Sequence, residues 1–206
     1  SGYGGEAIHN MTRWDWGQDL FEWMEYYLKG IGEKPPLHAQ IQRNDGEWRI
    51  EETWPPLDAT VMDLDIGECT NTGAFVGGGA AVVGGGQTVE LTCPALSEDT
   101  DMHIAGLPTF HLTAVPTFDG GQIFIEMQDA VTGIRLGHAT MDIRYHEGGY
   151  EAQTVVPGQT LVMYMEFQAM DVLLPAGHGL KFVLAENGED YLAPACGNTC
   201  TVRRTD

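Results

Sequence analysis

At 206 residues the chain has room for one large domain, or for one domain and a fragment of a second, and its 43% hydrophobic content is enough to fill a core. Thirty acidic side chains stand against ten basic ones, of which three are lysines (Lys29, Lys34, Lys181). A net charge of −20 argues against nucleic acid and anionic membranes as partners, and suits high salt, an extracellular setting, or simply an acidic protein. No apolar run approaches the roughly 18 residues of a membrane span, nothing reads as a secretory leader, and Ser1 is not a natural start, so the chain is expected to be a piece of something longer.

Residues 1–10, SGYGGEAIHN, read as glycine-rich loop. Over 14–29 the apolar residues Leu20, Trp23, Met24, Tyr27 and Leu28 recur at spacings of three and four, which predicts a helix with an aromatic face. Gly30 sits in the C-cap place and Lys34-Pro35-Pro36 stops any continuation. Residues 37–43 predict a short strand, Asn44-Asp45-Gly46 a turn, and the alternation over 60–66 a further strand. Residues 73–87, GAFVGGGAAVVGGGQ, are expected to form a mobile or inserted loop; they lack the Lys-Ser/Thr ending of a phosphate-binding loop.

Residues 101–144 carry three runs of period-2 alternation. Phe110, Leu112 and Ala114 alternate with polar neighbours; Ile123, Ile125 and Met127 do so next; Ile134 and Leu136 open a third run to Ile143. With Phe118-Asp119-Gly120-Gly121 as a turn and Thr132-Gly133 as a break, this reads as a three-stranded meander that needs a second sheet to bury its apolar face. Leu161, Met163, Met165 and Phe167 mark the clearest single strand, and Leu180, Phe182 and Leu184 another. The two methionines read as core filler. Strands at regular spacing with almost no helix after residue 60 indicate a mainly β chain, a β-sandwich of the jelly-roll type.

Four cysteines, Cys69, Cys93, Cys196 and Cys200, allow three pairings, and spacing favours two local disulfides. Cys196 and Cys200 can close on each other, and Cys69 and Cys93 can clip the glycine-rich stretch at its base. That arrangement would place the protein outside the cytoplasm, extracellular or at the cell surface. Free thiols and a zinc site are the alternatives, the latter disfavoured because a lone C-x₃-C lacks paired knuckles and nearby histidines. Glu51-Glu52, Asp63 with Asp65, and Glu98-Asp99 could hint at calcium or glycosidase chemistry, but among thirty acids such pairs are expected by coincidence. No cofactor is expected.

Six segments stand in a fixed order: EWMEYYLKG (22–30), GEWR (46–49), TWPP (53–56), HIAGLPTFHLTAVP (103–116), GQIFIEMQDA (121–130) and LPAGHGLKFVL (174–184). Together they resemble the C-terminal part of the X-prolyl dipeptidyl-peptidase and cocaine-esterase-like serine hydrolases, over roughly residues 10–190. The resemblance implies that residues 1–58 are the tail of an α/β-hydrolase domain, with its last helix, last strand and Trp-Pro-Pro exit. Residues 59–206 would be a jelly-roll (galactose-binding-like) β-sandwich, non-catalytic in such enzymes, which packs on the catalytic domain, helps wall the substrate pocket and often contributes to assembly.

A hydrolase of this kind needs a Ser nucleophile on a G-x-S-x-G-like elbow, followed in the chain by Asp or Glu and then His. The only serines are Ser1 and Ser97, and neither has that setting. The chain alone therefore lacks the nucleophile, and an acyl-enzyme would form on a serine outside it. By position ahead of the helix, the resemblance makes His9 the candidate general base; the plain alternative is a loop histidine, since a Trp-containing lead-in is missing. His103, His111, His138, His146 and His178 read as surface or capping residues. The partners implied are the α/β-hydrolase catalytic domain and a peptide or ester substrate, with no nucleic acid and no membrane span; a homo-oligomer is left open. A stand-alone jelly-roll module binding carbohydrate or protein, and a structural module of a cell surface, are the competing readings.

Overall fold

The computed structural model describes residues 16–71, 75–76, 80–84, 87–188 and 201–204. Helix α1, Trp16–Met24, continues into a wider π-helical turn, Glu25–Lys29. Gly30 ends it with a left-handed φ of 69° and donates its N–H to Tyr26, the stop expected of a glycine there. Every described side chain of α1 is exposed. Strands β1 (Ala39–Gln42) and β2 (Trp48–Glu51) then pair antiparallel around the turn at Asn44-Asp45-Gly46, and a cis peptide joins Trp54 to Pro55. The strand expected over 60–66 is absent. Those residues run as coil into a 3-10 turn, Ile66–Glu68, capped by the Asp65 side chain, which accepts the Gly67 N–H at 2.8 Å. Val61 and Met62 are exposed, while Leu64 and Ile66 are partly buried against the core, so the apolar residues there reach the core from coil and no strand pairs with them.

Among the described residues twelve further strands follow: β3 (Thr70–Asn71), β4 (Phe75–Val76), β5 (Ala80–Gly84), β6 (Val89–Ala95), β7 (Met102–Gly106), β8 (Thr109–Pro116), β9 (Gln122–Asp129), β10 (Arg135–Asp142), β11 (Leu161–Glu166), β12 (Met170–Leu174), β13 (Gly179–Ala185) and β14 (Thr201–Arg204). One sheet has the order β10-β9-β13-β6-β3 and the other β11-β8-β14-β5-β4, while β12 and β7 form a separate ladder. The stretch read as a glycine-rich loop therefore supplies two strands, because short apolar runs can be strand without a polar alternation. The meander is also corrected. Only β9 and β10 pair; β8 lies in the opposite sheet, beside β11 and β14. Alternation fixes which residues face inward but not which sheet carries them, and the 117–121 loop takes the chain across from one sheet to the other.

The core sits between the sheets. Phe182 is registered between Leu91 on β6 and Met127 on β9, and Leu184 between Val89 and Ile125. Facing them, β11 and β8 align Met163 with Leu112 and Met165 with Phe110. Phe110 meets Phe182 edge-on across the gap, with ring centroids 5.3 Å apart. Gly179 opens β13 where a side chain would stand 2.3 Å from the Cys93 carbonyl oxygen, so only glycine fits. A disulfide joins Cys69 to Cys93 across the β3–β6 edge. Closing a loop of separation 24 removes unfolded-state entropy worth roughly 3 kcal/mol. Strand β11 gives the plainest contrast between its faces: Met163→Ala should cost about 2–5 kcal/mol in chemical denaturation, and its neighbour Val162→Ala, 51% exposed, about 0.5 kcal/mol or less.

Candidate functional site

The most organised polar constellation centres on Asp171, in the otherwise apolar strand β12. Strand β7 pairs one edge of β12, and the turn of the β1–β2 hairpin meets the other. Asn44 donates its backbone N–H to the Asp171 carbonyl at 3.1 Å. Its side-chain amide accepts the Leu173 N–H at 2.8 Å and donates to the Leu173 carbonyl at 3.1 Å, standing in for one peptide of a third strand. The turn itself is braced by Arg43, whose guanidinium holds the Asp45 carboxyl below the usual carboxylate range.

The Asp171 side chain is fully buried and accepts from an arginine and a histidine. Arg49 of β2 donates through Nε at 2.7 Å and Nη2 at 3.2 Å, and His103 of β7 donates through Nε2. Arg49 also donates to Glu51 at 2.6 Å and lies over the Trp54 ring, 5.5 Å from its centroid. Next to it Pro55 packs against Gly106, where a Cβ would stand 3.4 Å from the proline ring. The arrangement can hold two segments together and can carry a proton on His103. It presents no hydroxyl or thiol nucleophile, so it cannot perform acyl transfer by itself.

A second constellation ties two turns at one end of the sandwich. Asp129 accepts the Val131 N–H at 2.8 Å, the Thr132 hydroxyl at 2.8 Å and N–H at 3.3 Å, and His178 Nδ1–H at 2.9 Å. Burial alone would raise this carboxyl, but the four donors outweigh it and hold the group below the usual carboxylate range.

Of the residues singled out from sequence, His9, Cys196, Cys200 and Ser1 lie outside the described residues. Ser97 sits in a turn, its hydroxyl accepting the Thr100 N–H at 3.2 Å and bonded to the Thr100 hydroxyl at 2.9 Å, far from the setting of a nucleophile. His146 caps the Ile143 carbonyl. His138 departs from the surface reading: it is 3% exposed and stacks on Phe124, because the second face of β10 is also covered at that point. Among the described residues no group of three or more His, Cys, Asp and Glu could hold a metal ion, and no helix is long and apolar enough to cross a membrane. Sequence reading missed Asp171 and Arg49; the available signal was one acid inside the apolar run Met170-Asp171-Val172-Leu173-Leu174.

Two outcomes follow from this geometry. Arg49→Met leaves a buried carboxylate short of its main cation, and should lower unfolding stability by about 3 kcal/mol at neutral pH. Asp129→Asn should cost about 1–3 kcal/mol at neutral pH. Since the Asp129 pKa is depressed in the fold, its contribution is complete above the ordinary carboxylate range and is lost as pH falls through the depressed value. The gap between wild type and Asp129→Asn should therefore close below about pH 4 in denaturation curves.

Comparison with known proteins agrees with this architecture. The family described as the X-Pro dipeptidyl-peptidase C-terminal non-catalytic domain matches residues 86–202. No curated protein matches by sequence. Among solved structures, an aminopeptidase from the marine sediment archaeon Thaumarchaeota archaeon superposes with a TM-score of 0.63 at 14% identity, over 94% of this chain and 42% of that one. A CocE/NonD family hydrolase from Staphylococcus aureus gives 0.57 at 13%, over 99% and 46%. An alpha-amino acid ester hydrolase gives 0.57 at 14%, over 94% and 43%. At these identities the likeness is one of fold, and the chain spans less than half the length of each of these structures. The family match extends over more than half of the chain, which thus belongs to the X-Pro dipeptidyl-peptidase C-terminal non-catalytic domain family.

Proposed function

We propose that this chain is the C-terminal segment of a serine hydrolase of the X-prolyl dipeptidyl-peptidase or acyl-esterase type, and that its sandwich packs on the catalytic domain and helps form the substrate pocket. Residues 1–58 are read as the tail of that α/β-hydrolase domain and 59–206 as the sandwich domain. The nucleophile is then supplied by a serine outside the 206 residues, and His9 is our candidate for the general base.

The observation that carries the reading is apolar surface left open ahead of the sandwich. Phe21, Trp23, Met24 and Leu28 on the helical stretch, and Trp48 and Ile50 on the outward face of β2, are all exposed, Leu28 by 75% and Ile50 by 69%. A nine-residue helix with no buried face is not held by its own hydrogen bonds, so its amphipathic side calls for a covering surface. A catalytic domain fits that need. The Cys69–Cys93 disulfide supports an oxidising, extracellular or surface location.

One observation favours a second reading, a binding module for carbohydrate. Tyr164 and His111 meet edge-on at 4.6 Å on the outward face of β11 and β8, beside exposed Val162, and such aromatic surface can stack on a sugar ring. Fluorophosphonate labelling separates the two. The native polypeptide carrying this segment should be longer and should label, while the 206-residue chain should not. A native species of only this length that stays unlabelled would overturn the hydrolase reading and turn the search to glycan arrays with a Tyr164→Ala control.

A further inference from the structure

The charge on this chain is unevenly placed. Residues 50–134 hold thirteen Asp and Glu and no Lys or Arg. Four of those acids find a partner outside the stretch: Glu51 in Arg49, Glu90 in Lys181, Glu126 in Arg135 and Asp129 in His178. Asp65 and Asp101 accept backbone N–H groups, and Asp119 lies within electrostatic reach of Arg144, which is already bonded to Asp142. Glu52, Asp58, Asp63, Glu68, Glu98 and Asp99 stand exposed, and among the described residues no side chain of opposite charge bonds to them. The cations are committed elsewhere. Lys29, Arg43, Arg49, Arg135, Arg144 and Lys181 each hold an acid already. Of the rest, Lys34 precedes the hairpin, and Arg13, Arg203 and Arg204 lie toward the two ends of the chain.

One exposed carboxylate costs little; the sum over a net charge of −20 does not. A compact chain of this length has a radius of gyration of about 17 Å. The Debye length is about 30 Å at 0.01 M salt, so each carboxylate then acts on all the others, and about 3 Å at 1 M, where it acts on almost none. Unfolding spreads the charges, since the open chain has a radius of gyration of about 50 Å. The repulsion therefore weighs on the folded state far more than on the unfolded one, and dissolved ions remove it.

We propose that the fold is salt-supported: ions in solution do for residues 50–134 what lysine and arginine do in a chain of balanced charge, and stability rises with ionic strength as a result. The working environment this implies is a concentrated one, and the inference stands whatever reaction the parent protein performs. Urea unfolding of the 206-residue chain, followed by tryptophan fluorescence, tests it, since urea adds no ions. The midpoint should rise by roughly 0.5–1.5 M urea between about 0.02 M and about 1 M NaCl. It should rise equally in choline chloride, and by the same amount at a tenfold higher protein concentration. The combined variant Asp58→Asn, Asp63→Asn, Glu68→Gln, Glu98→Gln and Asp99→Asn spares Glu52, beside the Arg49 ion pairs, and takes the net charge from −20 to −15. Collective repulsion scales with the square of that charge, so the variant should unfold at higher urea than wild type in low salt and keep only about half to two-thirds of the rise. A midpoint that is flat or falls with NaCl would overturn the proposal. So would a rise undiminished in the variant, which assigns the effect to dehydration of the surface; a rise confined to sodium, which assigns it to a bound cation; or a rise that follows protein concentration, which assigns it to self-association. If the combined variant does not fold, Glu98→Gln with Asp99→Asn takes its place with a smaller loss of the rise, and the wild-type curve alone can still refute the proposal.

Discussion

Leu91, Phe182 and Met127 stand side by side on β6, β13 and β9, one register step from Val89, Leu184 and Ile125, and this apolar ladder has no stable exposure to water. It must be covered by a surface of matching period, which β8 and β11 supply with Phe110, Leu112, Met163 and Met165. Each such side chain contributes about 1.5–3 kcal/mol when fully buried. The requirement that two period-2 surfaces close on each other decides the sheet order, the crossing of the 117–121 loop, and the glycine at position 179 where β13 passes the Cys93 carbonyl. The disulfide then secures the edge where the sheet is thinnest, at the two-residue strand β3.

The attachment of the hairpin follows a different logic. Beyond the apolar layers, β12 offers one open edge, and a strand edge left open is a hazard. Asn44 closes it with a backbone donor and a side-chain amide that copies a peptide. Asp171 adds a charge where β12 is otherwise apolar, which is costly unless it is paired and hydrogen-bonded; Arg49 and His103 supply three bonds to its two oxygens. A buried ion pair of this type is a weak source of net stability, but it is selective, since few geometries satisfy it. It fixes one attitude of the hairpin where an apolar contact would allow several.

What the sequence disclosed follows from these two logics. Inward-facing residues of β8, β9, β11 and β13 were legible because period-2 alternation is imposed by burial on one side. Phe110, Met163 and Leu184 could be assigned to the core from pattern alone. The partner of each strand could not, since β8 and β9 carry the same pattern and lie in different sheets. The strands at 75–76 and 80–84 were hidden because their apolar runs, Phe75-Val76 and Ala80 to Val83, are too short to show a period and are set among glycines. The seam was hidden for another reason. Asn44 bonds Leu173 across 129 positions, Arg49 bonds Asp171 across 122 and His103 bonds it across 68; each is an ordinary polar residue locally, and only the docking of the hairpin and of β7 on β12 brings them together.

The family relation and the open apolar surface bear on each other. A non-catalytic domain influences a reaction only through what it touches, so the surface it leaves uncovered matters more than its core. Here a share of that surface is gathered on α1, on the turn after it and on the outward face of β2, apart from exposed residues of the sandwich such as Val131, Tyr150 and Tyr164. The inward face of β2 carries Arg49 and Glu51 into the seam, while Trp48 and Ile50 alternate with them on the other side. One four-residue strand thus has a polar face bound to the sandwich and an apolar face turned away from it. Period-2 geometry makes the two faces inseparable: any shift of register that loosened Arg49 from Asp171 would turn Trp48 and Ile50 as well. The hold of the hairpin on the sandwich and the attitude of its apolar face are therefore set together.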